Sequence, residues 1–379
     1  MSSARLDALV LRLPENVLLL SGFWPMIGAS VLIFPLEGKS TCLVPHCYEA
    51  EFAESAWEVD PIHFRYGVLD AEPSFDAMQR SLQGLAAQNS WKRIGYEANF
   101  EIVAPSWNAA ELIVPGIRFR ALLESSFSSS AFADATELIE NERRTKTPWE
   151  AERLRIASEI SNFGLEAFEE ILQTGRTGTE LVADVERAVM VKGTGYKHAS
   201  RVRAFAQVAT GPLETAIGYR PNEVSTTRRL EEHDLAILEL GVVADGYWAD
   251  RTRVRVAGDP TDTQVKMFEV VQRAQQSAAR TVRPGVKAAD VDRAARSVIA
   301  DAGYSDYFPH VTGHGLGFRY HESTPILSPD STTILEEGML TSVEPGIYDD
   351  SFGGIRLEDD VLVTAEGAET LGPFPMRLS

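Results

Sequence analysis

The chain has 379 residues, more than one ordinary hydrophobic core accommodates, so its length favours two domains. Hydrophobic residues make up 44% and charged residues 24%, proportions typical of a soluble globular protein. The formal net charge of −19 argues against a nucleic-acid partner and against an anionic membrane surface, because both attract basic proteins.

Cysteine usage and the N-terminal segment predict a cytoplasmic protein. Cys42 and Cys47 are too few for a disulfide framework, which favours free thiols in a reducing compartment. Charged residues interrupt Met1–Leu20, so this segment does not resemble a signal peptide. The sequence contains no run of about 18 apolar residues, and we therefore expect no membrane partner.

The segment from Val17 to about Phe132 predicts a mixed α/β domain. Short apolar runs indicate strands, and apolar residues at helical spacing indicate one helix. No cluster of convergent polar side chains is evident there. We place the domain boundary near Asp134, which divides the chain into residues 1–134 and 135–379. The predicted strands are Val17–Leu20, Ser30–Phe34, Ser40–Val44 and Ile94–Tyr96, and the predicted helix is Phe75–Ala87.

A densely charged segment, Glu137–Arg155, follows the boundary and indicates a linker. Beyond it, apolar residues recur at helical spacing and predict a long amphipathic helix that reaches Leu172. Pro148 suits the first turn of that helix, where the N–H that proline lacks would have no partner.

The second part of the chain contains an internal repeat. Ala183–Ala188 matches Ala289–Ala294 at an offset of 106 residues (289 − 183). An apolar strand with one embedded carboxylate follows each copy, and a second acidic strand comes after it. These observations predict a duplicated α+β domain with a site on its pseudo-twofold axis. The embedded acids are Glu239 and Asp250 in the first half, and Glu344 and Glu358 in the second.

Four carboxylates in apolar strands require compensation. A buried carboxylate is costly unless something pairs with it, and four in a small volume repel one another strongly. Two divalent cations would resolve the conflict, because carboxylates can bridge a pair of metal ions. The sequence also offers nitrogen ligands, because three of the seven histidines, His310, His314 and His321, fall within twelve residues. Glycines on both sides of His314 allow its imidazole to point into a cavity.

These motifs resemble those of the pita-bread metallopeptidases, which include aminopeptidase P, prolidase and methionine aminopeptidase; creatinase shares the fold but not the metal. The resemblance covers roughly residues 140 to 379, and the N-terminal domain is compatible with the aminopeptidase P/prolidase branch. It implies an α+β fold, with a creatinase/prolidase-like α/β domain followed by a pita-bread domain that is internally duplicated. The motifs are Gly313–Gly315, Ser342–Tyr348, Gly354–Asp360, Asp250–Thr252 and Arg144–Lys146.

The resemblance also implies a ligand set. Asp250 and Glu358 would bridge two divalent metal ions, with Mn expected first and Co or Zn as alternatives. His314 and Glu344 would complete the shell of the first ion, and Glu239 stands at the position of the terminal ligand to the second. The ions would hold a hydroxide that attacks the scissile carbonyl.

The remaining roles concern the substrate and its protons. By the same resemblance, Glu344 would shuttle protons, and His310 and His321 would contact the substrate and stabilise the developing oxyanion. Arg319 would either pair with a substrate carboxylate or neutralise the site carboxylates. Arg356 would either bind substrate or neutralise the site carboxylates.

The sequence departs from the family pattern at two positions. The family has Asp where this chain has Glu239, and the extra methylene shifts or displaces the second ion. Glu239 could instead pair with an arginine in a metal-free site. The family's peptidases also carry a histidine upstream of that strand, where this chain has Gly218 or Asn222.

Three functions follow from these features. The first is a metal-dependent hydrolase that cleaves Xaa-Pro peptide bonds, with a small peptide or amide as its substrate. The second, motivated by Glu239 and the missing histidine, is a metal-independent C–N hydrolase of a small non-peptide substrate, as in creatinase or ectoine hydrolase. The third is a non-catalytic binding module. The resemblance further implies a homodimer.

Overall fold

The computed structural model describes residues 1–25, 29–66, 68–69, 71–98, 117–220 and 224–379. They form two compact units that divide between Arg143 and Arg144, nine residues after the expected boundary at Asp134 (143 − 134 = 9). A helix at Thr136–Arg143 belongs to the first unit, because Ile139 joins the apolar core of that unit. The charged segment that we expected to be a linker therefore contains a helix.

The first unit is built on one mixed sheet. Its strands are β1 Ala8–Leu11, β2 Val31–Pro35, β3 Ser40–Pro45, β4 Val59–Phe64, β5 Arg93–Tyr96 and β6 Ala131–Asp134. Its helices are α1 Pro14–Ser21, α2 Glu49–Ser55, α3 Ser74–Gln88, α4 Ile117–Ser126 and α5 Thr136–Arg143. The strand order is β4-β3-β2-β1-β5-β6, with β1–β2 and β2–β3 antiparallel and the other pairs parallel.

Apolar side chains cover both faces of this sheet. Val10 of β1 belongs to one buried cluster, whereas Leu9 and Leu11 belong to another, as the two-residue period of a strand requires. The predicted strands at Ser30–Phe34, Ser40–Val44 and Ile94–Tyr96 are confirmed as β2, β3 and β5, and the predicted helix is confirmed as α3.

The strand predicted at Val17–Leu20 is wrong, because these residues lie in helix α1. Pro14 occupies the first turn of this helix, and Gly22 ends it in the left-handed conformation with φ of 74°. Four consecutive apolar residues do not by themselves distinguish a buried helix from a buried strand.

The second unit combines helix pairs with several small sheets. Its helices are α6 Pro148–Ile171, α7 Gly178–Gly193, α8 Gly211–Ala216, α9 Asp262–Thr281 and α10 Ala288–Asp301. Its strands are β7 Val202–Thr210, β8 Leu235–Ala244, β9 Tyr247–Val256, β10 Gly313–Gly315, β11 Glu322–Leu327, β12 Leu340–Val343, β13 Gly346–Asp349, β14 Gly353–Arg356, β15 Asp359–Thr364 and β16 Gly367–Thr370. They form the sheets β7-β8-β9 and β11-β10-β12-β15-β16 and the hairpin β13-β14.

A helix pair followed by strands occurs twice in this unit, as α6–α7 and as α9–α10. The two copies of the repeated sequence lie in α7 and α10. Thr177 and Thr261 cap the N-termini of α7 and α9, each accepting the backbone N–H three residues ahead. The predicted long helix is confirmed as α6, with Pro148 as its first residue. Within the described part of the chain, no helix is both long enough and apolar enough to span a bilayer.

The first pair of embedded acids lies on one hairpin. Strands β8 and β9 pair antiparallel, with Glu239 opposite Thr252 and Gly241 opposite Asp250. The two residues between the strands, Asp245 and Gly246, have φ of 49° and 93°, as a tight hairpin turn requires. The hairpin therefore places the side chains of Glu239 and Asp250 in the same region.

The second pair of acids meets this hairpin through a short bridge. Glu344 follows β12, and Glu358 lies between β14 and β15. Thr252 forms an isolated antiparallel bridge with Glu358, which joins the two halves of the repeat at the carboxylates.

Candidate active site

The pleat of β9 sends alternate side chains in two directions. Asp250 and Thr252 point toward the other embedded acids. Arg251 and Arg253 point away and pair with Asp359, their nitrogens lying 2.8 and 2.7 Å from the same oxygen. Both arginines are buried, so the Asp359 charge is already compensated.

Two glycines bring the His314 backbone close to its neighbours. A Cβ on Gly313 would lie 2.0 Å from the carbonyl oxygen of Ser342, and one on Gly315 would lie 2.2 Å from that of Thr324. Side chains at either position would therefore collide with backbone. The Ser342 hydroxyl also accepts the backbone N–H of His314 at 3.0 Å, which fixes the position of β10.

The His314 ring has a defined orientation. Its Nδ1 lies 2.9 Å from the carbonyl oxygen of Gly315, which can only accept, so Nδ1 carries the proton. Nε2 faces two carboxylates, 3.5 Å from Asp250 Oδ2 and 3.4 Å from Glu344 Oε1. In neutral His314 the Nε2 lone pair therefore points between these carboxylates.

Glu358 adds a further carboxylate to the same cluster. The Thr252 hydroxyl donates to Glu358 Oε2 at 2.6 Å, whereas Oε1 is buried and has no hydrogen-bond partner among the described residues. An orphaned carboxylate oxygen is costly in such a place, so it is suited to a cation. Ligand atoms of His314, Glu344 and Glu358 all lie within 4.8 Å of one another.

Glu239 has different partners from the other three acids. Arg356 Nη2 lies 2.5 Å from Glu239 Oε2, forming a partly buried ion pair. The Tyr320 hydroxyl lies 3.0 Å from Glu239 Oε1 and 2.9 Å from Asp250 Oδ1. Both oxygens of Glu239 are therefore engaged by side chains of the protein.

Arg356 lies deep within the cluster and is only 2% exposed. Its Nε donates to the Thr252 hydroxyl at 3.0 Å, and its Nη1 donates to the Tyr348 hydroxyl at 3.0 Å and to the Gly218 carbonyl at 3.2 Å. The guanidinium of Arg356 already binds Glu239 and these neighbours. Arg356 is therefore better placed to neutralise carboxylates than to bind substrate.

His310 lies beside the carboxylate cluster without joining it. Its Nδ1 contacts the Val311 carbonyl at 2.8 Å, and its Nε2 contacts the Tyr348 hydroxyl at 3.0 Å. Desolvation and the neighbouring Arg356 charge lower the pKa of His310 to about 3. His310 is therefore neutral over the ordinary pH range.

His321 and Arg319 lie on the segment that follows β10. The His321 ring packs 4.3 Å from the His314 ring, and His321 can form a second candidate ligand group with Asp250 and His314. Burial and the charge of His314 lower the pKa of His321 to about 2. Arg319 is half-buried, and its backbone N–H lies 3.4 Å from a carboxylate oxygen of Glu322.

The pKa values of the cluster are shifted in the direction that favours bound protons. Desolvation raises the pKa of Glu344 to about 7 and that of Glu358 well above its usual range. Burial lowers the pKa of His314, but Asp250 and Glu344 more than offset that effect and raise it to about 9. Protons thus stabilise a cluster that a cation would stabilise more directly.

Three side chains at the site were not identified from the sequence. Thr252, Tyr320 and Tyr348 each hydrogen-bond a predicted site residue. A signal existed for all three, because Thr252 and Tyr348 end two of the family motifs and Tyr320 lies between Arg319 and His321. Of the two positions aligned with the missing histidine, Gly218 contributes a backbone carbonyl that accepts a hydrogen bond from Arg356, and Asn222 lies outside the described residues.

The protein-family comparison accounts for this arrangement. The model of metallopeptidase family M24 matches residues 152–365, more than half of the chain and all of the convergent acids. The chain belongs to metallopeptidase family M24. The predicted family resemblance is therefore confirmed, and the protein is an enzyme of the M24 metallopeptidase type.

Comparisons over the full length agree with the family match. The M24 chain is 29% identical over 371 residues to the Xaa-Pro dipeptidase of Pyrococcus horikoshii, spanning 98% of this chain and 94% of that protein. The prolidase structure from Pyrococcus horikoshii OT3 has a TM-score of 0.80 at 27% identity and covers 100% of this chain and 97% of that one. The X-Pro aminopeptidase of Thermotoga maritima has a TM-score of 0.78 at 25% identity, covering 100% and 99%. The predicted α+β pita-bread architecture is thereby confirmed.

Proposed function

We propose that this M24 protein is a metal-dependent hydrolase that cleaves Xaa-Pro peptide bonds. The observation that carries the proposal is the convergence of His314 Nε2 with the carboxylates of Asp250, Glu344 and Glu358. The named activities of the relatives, Xaa-Pro dipeptidase and X-Pro aminopeptidase, support the substrate class.

These four side chains fit a divalent ion. The Nε2 lone pair of His314 and the unpartnered Oε1 of Glu358 face the same small volume. A ligand set of one imidazole and three carboxylates suits Mn, with Co or Zn as alternatives. Such an ion, when bound, polarises the substrate carbonyl and lowers the pKa of a water molecule.

The chain's own residues would move the protons. The Ser342 hydroxyl donates to Glu344 Oε1 at 3.1 Å and orients that carboxylate beside His314. Glu344 is therefore placed to accept a proton from the attacking water and to return it to the leaving nitrogen.

Other residues would bind the substrate. His321, which packs against His314, would donate a hydrogen bond to the developing oxyanion. Arg319 would pair with the substrate carboxylate. We also retain His310 as a substrate contact, held in orientation by its hydrogen bond with Tyr348.

The proposal is tested by proline release from a panel of Xaa-Pro dipeptides and tripeptides, with added Mn²⁺ and with chelator. The matched Xaa-Ala peptides serve as the substrate control. We expect release that requires the metal and that is confined to the Xaa-Pro series. Folded protein that binds neither Mn, Co nor Zn and cleaves no peptide would contradict the proposal.

A second candidate is a metal-independent C–N hydrolase of a small non-peptide substrate. The observation in its favour is the partly buried ion pair between Glu239 and Arg356, which makes Glu239 less available as a metal ligand. In this case hydrolysis of a small amide or amidine would survive exhaustive chelation, whereas peptide hydrolysis would be absent.

Assembly and location complete the proposal. We expect a cytoplasmic homodimer, on the basis of the family resemblance and the cysteine usage noted above. Light scattering coupled to size-exclusion chromatography measures the assembly, since a monomer has a mass of 41.7 kDa. Cell fractionation with an antibody to the protein measures the location.

A further inference from the structure

Both oxygens of the Glu239 carboxylate are already in contact with a donor side chain. Arg356 Nη2 lies 2.5 Å from Oε2, and the Tyr320 hydroxyl lies 3.0 Å from Oε1. An ion bound by Glu239 would compete with these donors for the same oxygens and would be repelled by the guanidinium charge. Displacing Arg356 would separate a buried, permanently charged guanidinium from its nearest carboxylate and leave only the longer contact with Glu344 Oε2, at 4.0 Å, which is unfavourable.

The Tyr320 hydroxyl also engages the neighbouring acid. It lies 2.9 Å from Asp250 Oδ1 while remaining 3.0 Å from Glu239 Oε1, so its oxygen sits between the two carboxylates. An ion shared by Glu239 and Asp250 would need both carboxylates at about 2.0–2.2 Å. The phenol oxygen therefore occupies the space that such an ion would take.

Packing holds Tyr320 in this position. The residue is 6% exposed, and its ring contacts Trp248 and Phe205 at centroid distances of 5.5 and 6.1 Å. Gly241 provides the space for the ring, because a Cβ at that position would lie 2.7 Å from Tyr320. The ring cannot swing aside without disturbing the β8–β9 hairpin.

Arg356 is equally well anchored. Thr252, Tyr348 and Gly218 each accept one of its N–H groups, in addition to the ion pair with Glu239. The guanidinium thus supplies fixed positive charge on the Glu239 side of the cluster. On the His314 side, by contrast, Asp250 Oδ2 faces an imidazole nitrogen that can lose its proton, and Glu358 Oε1 has no hydrogen-bond partner among the described residues.

We propose that the protein binds one divalent ion per chain, held on the His314 side, and that Tyr320 and Arg356 take the place of a second ion on the Glu239 side. This inference rests on the proposed metal-dependent function. It differs from the expectation of two ions that the family resemblance implies.

The test is the number of Mn²⁺ ions bound per chain. Full-length protein is stripped with chelator, dialysed to equilibrium against Mn²⁺ and analysed for metal content and by electron paramagnetic resonance. We expect one ion per chain and the spectrum of an isolated Mn²⁺, without the exchange coupling that a pair of ions would show.

The variant Tyr320→Val removes the hydroxyl and shortens the side chain. We expect it to bind a second, weaker Mn²⁺ at millimolar concentration and to show exchange coupling. Tyr307→Val, at a tyrosine that is 39% exposed, is the matched control and should remain at one ion. Tyr320→Val that still binds a single ion would refute the role assigned to Tyr320.

The wild-type count decides the inference even if Tyr320→Val does not fold. Two coupled ions in the wild type would overturn the one-ion assignment and leave the proposed metal-dependent function intact. No bound ion at all would overturn the proposed function and, with it, this inference.

Discussion

Thr252 and Glu358, 106 residues apart in the chain, are joined by two hydrogen bonds that connect the halves of the internal repeat. The backbone N–H of Glu358 donates to the Thr252 carbonyl at 3.1 Å, and the Thr252 hydroxyl donates to the Glu358 carboxylate at 2.6 Å. The same hydroxyl accepts a hydrogen bond from Arg356 Nε. Thr252 thus orients both the candidate ligand Glu358 and the guanidinium of Arg356.

Replacing Thr252 by Val removes this hydroxyl at almost constant volume. We expect the affinity for Mn²⁺ to fall about 10- to 100-fold, because groups that orient a metal ligand typically contribute that much. The measurement is a calorimetric titration of metal-free protein with Mn²⁺. Thr252→Ser retains the hydroxyl and should bind nearly as tightly as the wild type, whereas equal losses in both variants would show that the hydroxyl is not responsible.

Replacing His314 by Ala removes an imidazole that lies 3.5 Å from Asp250 and 3.4 Å from Glu344. The same imidazole belongs to both candidate ligand groups. We expect Mn²⁺ binding to be lost and kcat/KM on Xaa-Pro peptides to fall by at least about 100-fold. His63→Ala, at an exposed histidine of the first unit, is the matched control and should behave as the wild type. Full metal content in His314→Ala would rule out His314 as a ligand.

Replacing Gly315 by Ala tests the backbone approach that positions His314. The new Cβ would lie 2.2 Å from the Thr324 carbonyl, so we expect destabilisation of about 1–3 kcal/mol together with weaker Mn²⁺ binding. Thermal unfolding and metal titration measure the two effects. Gly84→Ala in α3 meets no atom within 4 Å and should be neutral or stabilising by up to about 1 kcal/mol. Unchanged Mn²⁺ affinity in Gly315→Ala would argue against the positioning role.

The pH dependence of stability tests the neutral state of His310. Burial lowers the pKa of His310 from its ordinary value of 6.5 to about 3, so between these values the unfolded state binds the extra proton. The His310 contribution to stability is therefore present above pH 6.5 and is lost as the pH falls toward 3. The loss reaches about 1.4 kcal/mol per pH unit when the unfolded histidine is fully protonated.

His310→Phe removes this titration while keeping a ring. We expect the stability of the wild type relative to His310→Phe to decline as the pH is lowered from 7 to 4, measured by thermal unfolding at each pH. His63→Phe, at an exposed histidine, controls for ordinary histidine protonation. A stability difference that is independent of pH would contradict the assignment.

Much of the architecture could be predicted because it depends on local patterns. The helical period before Leu172, the glycines around His314 and the acidic strands of the repeat all report on the backbone near them. The strand predicted at Val17–Leu20 was wrong because four apolar residues carry too little periodicity to separate a helix from a strand. The helix at Thr136–Arg143 was missed because its charged surface masked a narrow apolar stripe that includes Ile139.

The sequence by itself determined the family resemblance and the candidate acids and histidines, because these residues occur in ordered motifs with short internal spacing. Only the tertiary structure decided which of them share partners. Tyr320 reaches Glu239 across 81 residues and Arg356 reaches it across 117, and neither contact is expressed in local spacing. The physical reason is that a buried carboxylate takes whichever donor the packing brings within hydrogen-bond distance. Long-range packing therefore determines that Glu239 faces a guanidinium and a phenol, while His314 faces carboxylates.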